Sequence, residues 1–252
     1  MNVLRSILVF IWLVITLIPC ATALLIGSLF LSNEKVWWWF AVPWLKGVVD
    51  AARIIAGVEY RVHGEENLPP AHDMRRIVLC PKHQSTWETF FFPSMTPHPL
   101  AYVFKKELLR IPFFGWSIGA CQMIHIDRSK RSQAWAKVAE QGVELMDRGK
   151  WVIMFPEGTR TERGQKGNYK EGATRLAVTT GAYVIPIAVT SGRCWPRRSF
   201  ALKPGIIDVS IGEPVCAQGR ESGELMDEVE RWIEAEMRRL DPDAYSGNNQ
   251  GN

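Results

Sequence analysis

Ile77-Val78-Leu79-Cys80-Pro81, followed without a break by Lys82-His83-Gln84-Ser85-Thr86-Trp87-Glu88, decides the reading of this chain. The first five residues form an apolar, β-branched run that reads as a buried strand closed by proline. His83 falls on the turn leaving that strand, and a carboxylate, Glu88, follows five positions on. On one continuous helix that offset would set the two side chains about 140° apart, so the pair meets only if the chain turns between them. Strand, turn and helix start is therefore the expected geometry. Ser85 supplies the start signal, and Ser85-x-x-Glu88 reads as a capping box in which Glu88 reaches back to the Ser85 backbone N–H. A second reading has the same carboxylate accept the Nδ1–H of His83, fixing the tautomer so that Nε2 takes a proton from a substrate hydroxyl. No serine or cysteine nucleophile motif accompanies the pair, which fits an enzyme that activates its substrate's own alcohol. Cys80 is a candidate acyl carrier, but a small thiol in an apolar strand reads first as core.

Upstream, the 28 residues from Ser6 to Asn33 carry no charge. As one helix they would span about 42 Å, more than the roughly 30 Å hydrocarbon core of a bilayer, and Pro19 near the middle invites a kink. The run is either one tilted spanning helix or two short arms dipping into one leaflet. A cleaved signal peptide competes, with Arg5 as its basic end and Ala21-Thr22-Ala23 as its cleavage site. The apolar pattern continues past that site into Val36-Trp37-Trp38-Trp39-Phe40 and Trp44, a second run suited to the headgroup level. Residues 1–56 are accordingly expected to form an N-terminal membrane anchor, 57–245 an α/β domain with a mixed β-sheet flanked by helices, and 246–252 a disordered tail.

Within that domain, Val58–Val62 alternates like an edge strand, and Ala101–Phe104, Cys121–Asp127, Trp151–Phe155, Tyr183–Val189 and Ile206–Ile211 read as further strands. Pro186 places the fifth of these at an edge or a bulge. Helices are expected over Arg131–Arg148, Glu171–Thr180 and Glu221–Leu240, the last with no chemistry of its own. Pro156-Glu157-Gly158-Thr159-Arg160 leaves the most apolar strand with a flexible glycine, a hydroxyl and a planar fork suited to phosphate, though an ordinary turn would read the same. Lys105-Lys106 beside Ile111-Pro112-Phe113-Phe114-Gly115 is a weak anion-site candidate with an apolar wall. The net charge of +4 and a pI near 8.8 are too mild to imply nucleic acid. Five cysteines without a C-x-x-C pair read as reduced thiols facing a cytosol, with neither a disulfide framework nor a metal site.

Four segments in fixed order carry a resemblance: Lys82–Glu88, Lys105–Gly115, Phe155–Arg160 and Val184–Ile187. Together they resemble the four blocks of the bacterial 1-acyl-sn-glycerol-3-phosphate acyltransferases, across roughly residues 57 to 215. The first block of that family usually ends in aspartate where this chain has Glu88. The resemblance implies acyl transfer from acyl-CoA or acyl-ACP (acyl carrier protein) to the sn-2 hydroxyl of lysophosphatidate, giving phosphatidate for phospholipid biosynthesis. It implies His83 as general base and Glu88 as its orienter, and Lys105 and Arg160 on the acceptor phosphate with Glu157, Gly158 and Thr159 shaping the glycerol site. Pro186 would stand near the acyl donor, and Phe113 and Phe114 would guide acyl chains. No metal or bound cofactor is implied. The expected place is the cytoplasmic side of the bacterial inner membrane, among membrane lipids. A related acyltransferase for lyso-ornithine lipid or a lysophospholipid, a non-catalytic lipid-binding protein and an exported hydrolase remain the competing readings.

Overall fold

The computed structural model describes residues 1–126 and 131–246, without the side chains of Lys105 and of residues 131–134. Lys105 therefore enters only as backbone, and the expected strand end at Asp127 and the expected tail beyond Ser246 lie outside the described residues.

The chain opens with α1 (Asn2–Gly27), in which Pro19 is accommodated without a break, followed by α2 (Asn33–Val36), one π-helical turn (Trp37–Ala41) and α3 (Val42–Ala56). Gly57, at φ 70°, ends α3 in the left-handed conformation that glycine adopts cheaply. The strands and helices then follow as β1 (Val58–His63), β2 (Ile77–Pro81), α4 (Trp87–Met95), β3 (Leu100–Lys105), α5 (Phe114–Ala120) and β4 (Ile124–Ile126). After these come α6 (Arg131–Asp147), β5 (Trp151–Ile153), α7 (Gly172–Thr180), β6 (Tyr183–Val189), β7 (Gly205–Ile211), β8 (Val215–Cys216), α8 (Ser222–Leu240) and α9 (Pro242–Tyr245).

The strands form one sheet in the order β1-β7-β6-β2-β5-β3-β4, with β8 paired to β6. β6 runs antiparallel to β7 and β8 and parallel to β2, so the sheet is mixed, and β1 lies at the edge as its alternation predicts. The edge position expected for β6 is corrected, because this strand has neighbours on both sides. Pro186 is tolerated there because its carbonyl, which accepts from Gly212 N, points to the side where β8 has ended at Val184 and β7 begins at Ile187. N–H and C=O of one strand residue point the same way, so the missing N–H falls in that seam and removes no ladder bond. The expected Cys121–Asp127 strand shortens to β4 after a turn in which Gln122 has φ 51°.

Alternation along β2 divides the molecule. Ile77 and Leu79 face a core shared with α1, α3 and α4, whereas Val78 and Cys80 face α6, α7 and α8. Continued past Pro81, the same alternation sends His83 toward the α1 and α4 side and Lys82 toward α8. The N-terminal helices are part of this packing: Val9, Leu24, Trp37, Val49 and Ala52 lie in one core with Trp87, Phe91 and the sheet. Trp37 is buried and Trp44 donates to Thr16 Oγ1 at 3.0 Å, while Trp39 stays 60% exposed, so the tryptophan run splits between internal packing and the outer surface.

Candidate active site

His83 and Glu88 meet. Their Nδ1 and Oε2 lie 2.5 Å apart, across a turn that ends where α4 begins at Trp87. The helix starts one residue later than Ser85 suggests, with Thr86 at the N-cap and Ser85 Oγ accepting from Trp87 N at 3.0 Å. The capping reading and the dyad reading prove compatible because each uses a different oxygen. Glu88 Oε1 accepts the backbone N–H groups of Gln84 at 2.8 Å and Ser85 at 2.9 Å, and also the hydroxyl of Ser191. Glu88 Oε2 is left for the imidazole. The carboxylate is buried, and both of its oxygens have partners. Ser191 stands beyond β6, and nothing in its local sequence marks it.

The histidine is held from three further directions. Its ring stacks on Phe155 with centroids 3.8 Å apart, its backbone N–H donates to Glu157 Oε2 at 2.8 Å, and its carbonyl accepts from Thr161 N and Oγ1 at 2.8 and 3.0 Å. With Nδ1 committed, Nε2 has no hydrogen-bond partner among the described residues. His83 lines an apolar cavity of about 330 Å³. Leu17, Cys20 and Leu24 of α1, Trp37, Phe104 and Phe114 form much of its wall. Phe114 thus lines the cavity, while Phe113 does not and packs on Trp116 instead.

Arg160 stands at the mouth of the same turn, its Nη1 donating to Thr86 Oγ1 at 2.5 Å. Gly158, at φ 65°, and Thr159, just before Arg160 in the chain, are exposed, with Lys170 Nζ 3.2 Å from where a Cβ on Gly158 would lie. Glu157 does not share this surface. It is buried beneath the turn, with Oε2 on His83 N and Oε1 2.8 Å from Lys82 Nζ, a contact of charge with charge more than an aligned hydrogen bond. Burial pushes its carboxyl above the ordinary glutamate value, against the pull of the Lys82 ammonium. Cys80 is fully buried on the opposite face of β2 from His83, and burial pushes its thiol up, so it is a core residue and not an acyl carrier. Pro186 pairs with Cys80 across the ladder, inside the sheet.

The arrangement is a histidine held through Nδ1, open at Nε2, lining an apolar cavity and flanked by a guanidinium. It suits removal of a proton from an amphiphile's hydroxyl.

Comparison with known proteins gives the family. Residues 59–190 match the model of a protein family described as Acyltransferase. A 1-acyl-sn-glycerol-3-phosphate acyltransferase of Pseudomonas aeruginosa is 42% identical over 202 residues, 79% of this chain and 77% of that protein. The mouse 1-acyl-sn-glycerol-3-phosphate acyltransferase alpha is 27% identical over 78% of this chain and 70% of its own length. Among solved structures, the 1-acyl-sn-glycerophosphate acyltransferase of Thermotoga maritima superposes with a TM-score of 0.79 over 95% of both chains, at 23% identity, a likeness of fold.

Proposed function

The chain belongs to the acyltransferase family, and from that premise we propose that it moves a fatty acyl group from an acyl thioester to the sn-2 hydroxyl of lysophosphatidate, giving phosphatidate. The observation that carries the proposal is the 2.5 Å contact of His83 Nδ1 with Glu88 Oε2 beside a cavity fit for acyl chains. His83 Nε2 takes the acceptor hydroxyl proton as that oxygen attacks the thioester carbonyl. The new C–O bond forms, the C–S bond breaks, and the imidazolium returns its proton to the departing thiolate. Glu88 stabilises the transient imidazolium, and Arg160 exchanges its neutral partner Thr86 for the acceptor phosphate, a bidentate fit for a guanidinium. Lys105, which ends β3, would be the second phosphate cation. Glu157 acts on the histidine and not on the glycerol. A thioester is already activated, so most of the barrier is met by holding two amphiphiles in register beside one base.

The donor is a thioester of coenzyme A or of acyl carrier protein, and the acceptor is read from Arg160. Both are tested by one assay of the detergent-solubilised protein, supplying radiolabelled acyl-CoA or acyl carrier protein thioester with lysophosphatidate, lyso-ornithine lipid or a neutral lysophospholipid. Phosphatidate is the expected product. His83→Ala should cut kcat by about 10³-fold, within the range general bases supply, and Arg160→Gln should raise KM for lysophosphatidate. Unchanged turnover in His83→Ala, or transfer to a phosphate-free acceptor alone, would end the reading.

A further inference from the structure

Lys82 immediately precedes the histidine, yet its side chain ends on the opposite face of the sheet, wholly buried. Its ammonium lies 2.8 Å from Glu157 Oε1 and 2.7 Å from Glu234 Oε1 of α8, and donates to the Gln165 carbonyl at 3.1 Å. Tyr169 closes the cluster, its hydroxyl donating to Glu234 Oε1 at 2.9 Å and its ring 5.5 Å from Lys82 Nζ. None of these residues lines the cavity beside His83. The other oxygen of Glu157, however, accepts the His83 backbone N–H.

We infer that Lys82 is a positioning residue of the transfer reaction: its ammonium keeps Glu157 ionised, so that the carboxylate clamps the main chain that carries the His83 ring. The inference rests on the reading of His83 as the base. The clamp needs the charge for two reasons. A hydrogen bond accepted by a carboxylate is roughly twice as strong as one accepted by a neutral group. A protonated carboxyl also carries a hydrogen that, placed on Oε2, would oppose the His83 N–H. Burial already favours that protonated form of Glu157, and Lys82 is the main influence opposing it. The charged and titratable groups that face Glu157 or its partners are Cys80 and Lys82 of β2 and the turn after it, Lys166 and Tyr169 of the loop before α7, Glu234 and Arg238 of α8 and Tyr245 of α9, with Lys170 beside Gly158. Glu234 competes for the same ammonium, one cation between two carboxylates.

Steady-state kinetics of the full-chain enzyme in detergent, from pH 5 to 9, test this in Lys82→Met, in Lys82→Gln, which keeps a neutral donor in place should Lys82→Met not fold, and in Lys82→Arg. Loss of the ammonium should lower kcat about thirtyfold at pH 7 and leave both KM values within about threefold, since the base is displaced and the substrate surface is not. The acid limb of kcat/KM should move up by about one pH unit or more, with activity recovering toward pH 9 as Glu157 ionises unaided. Lys82→Arg should restore most of the wild-type limb. Glu234→Gln, which keeps the acceptor and removes the competing charge, should leave the limb at or below its wild-type position. A folded Lys82→Met or Lys82→Gln with wild-type profile, one equally impaired at every pH, or a Glu234→Gln limb raised like theirs, would overturn the inference. His83→Ala measured in the same series separates the two failures: if it turns over normally the base is wrongly assigned, and if it is inactive while Lys82→Gln is wild-type-like, only the role of Lys82 falls.

Discussion

Glu88 serves two structures at once, and its longer side chain is suited to both. Oε1 ties down the turn through Gln84 and Ser85, Oε2 holds the imidazole, and the hydroxyl of Ser191 saturates the first oxygen from across the sheet. Glu88→Gln leaves one atom that donates where an acceptor is needed, so either the turn or the imidazole loses its partner. Its kcat is expected to fall about 10²-fold or more, as loss of an orienting carboxylate does in related dyads. Ser191→Ala removes one of several donors and leaves the dyad in place. It should cost about 1 kcal/mol of stability and a several-fold loss of kcat. Kinetics and thermal unfolding of the two variants check the ranking, and a Ser191→Ala enzyme as impaired as Glu88→Gln would show that the hydroxyl, not the carboxylate, sets the tautomer.

Among the elements, the α1 and α3 pair has the most to do with the membrane. Among the described residues α1 is the one helix long and apolar enough to cross one, and outward it presents Ile7, Ile11, Val14, Ile15 and Ile18. Its partner limits how it can lie. Gly47 of α3 packs on Trp12 and Trp44 bonds to Thr16, so Lys46 sits beside the middle of α1, with Asp50 and Arg53 near its N-terminal turns. Charged residues at bilayer mid-depth are costly, about 2.5 kcal/mol or more each. A hairpin that dips its exposed Phe30 and Trp39 end into one leaflet would avoid that cost. In inverted membrane vesicles, an epitope at the N-terminus should then be digested from the same side as the body, and protection of that epitope would mean a spanning helix.

At the scale of the whole molecule, the C-terminal helices fasten the site loops from behind, although they lie outside the segment matched to the family. Asp241, buried at the junction of α8 and α9, accepts Arg163 Nε and Nη2, both at 2.7 Å, and Arg193 Nη2 at 2.9 Å. Arg163 comes from the loop after Arg160, and Arg193 follows Ser191. Burial pushes the Asp241 carboxyl up, but the two guanidiniums together outweigh it and hold the group below the usual range. A lowered folded value stabilises the fold above the unfolded aspartate value of about 3.9 and is lost as pH falls through the folded one. Both arginines are partly exposed, so screening trims the contribution to about 1–2 kcal/mol. Asp241→Asn should lower Tm at pH 7 and keep that deficit down to about pH 4, closing only below it. A deficit constant to lower pH would show that the pair's charge contributes nothing.

The sequence by itself determined the local features of this protein. The apolar helix at the N-terminus, the strand before His83, the turn that brings Glu88 back and the three large helices of the body all follow from periodicity, capping and the reach of five residues, which act between near neighbours. Only the tertiary structure decided which groups surround that turn. Glu157 is 74 positions from His83, Ser191 is 103 from Glu88 and Glu234 is 152 from Lys82. The helix read as pure packing carries a carboxylate to the cluster behind the site, and a proline read as marking an edge or a bulge sits in a seam inside the sheet. Such meetings depend on the order of strands and the face each residue takes, and those are set by how the apolar surfaces of separate elements are buried together, which no local pattern encodes.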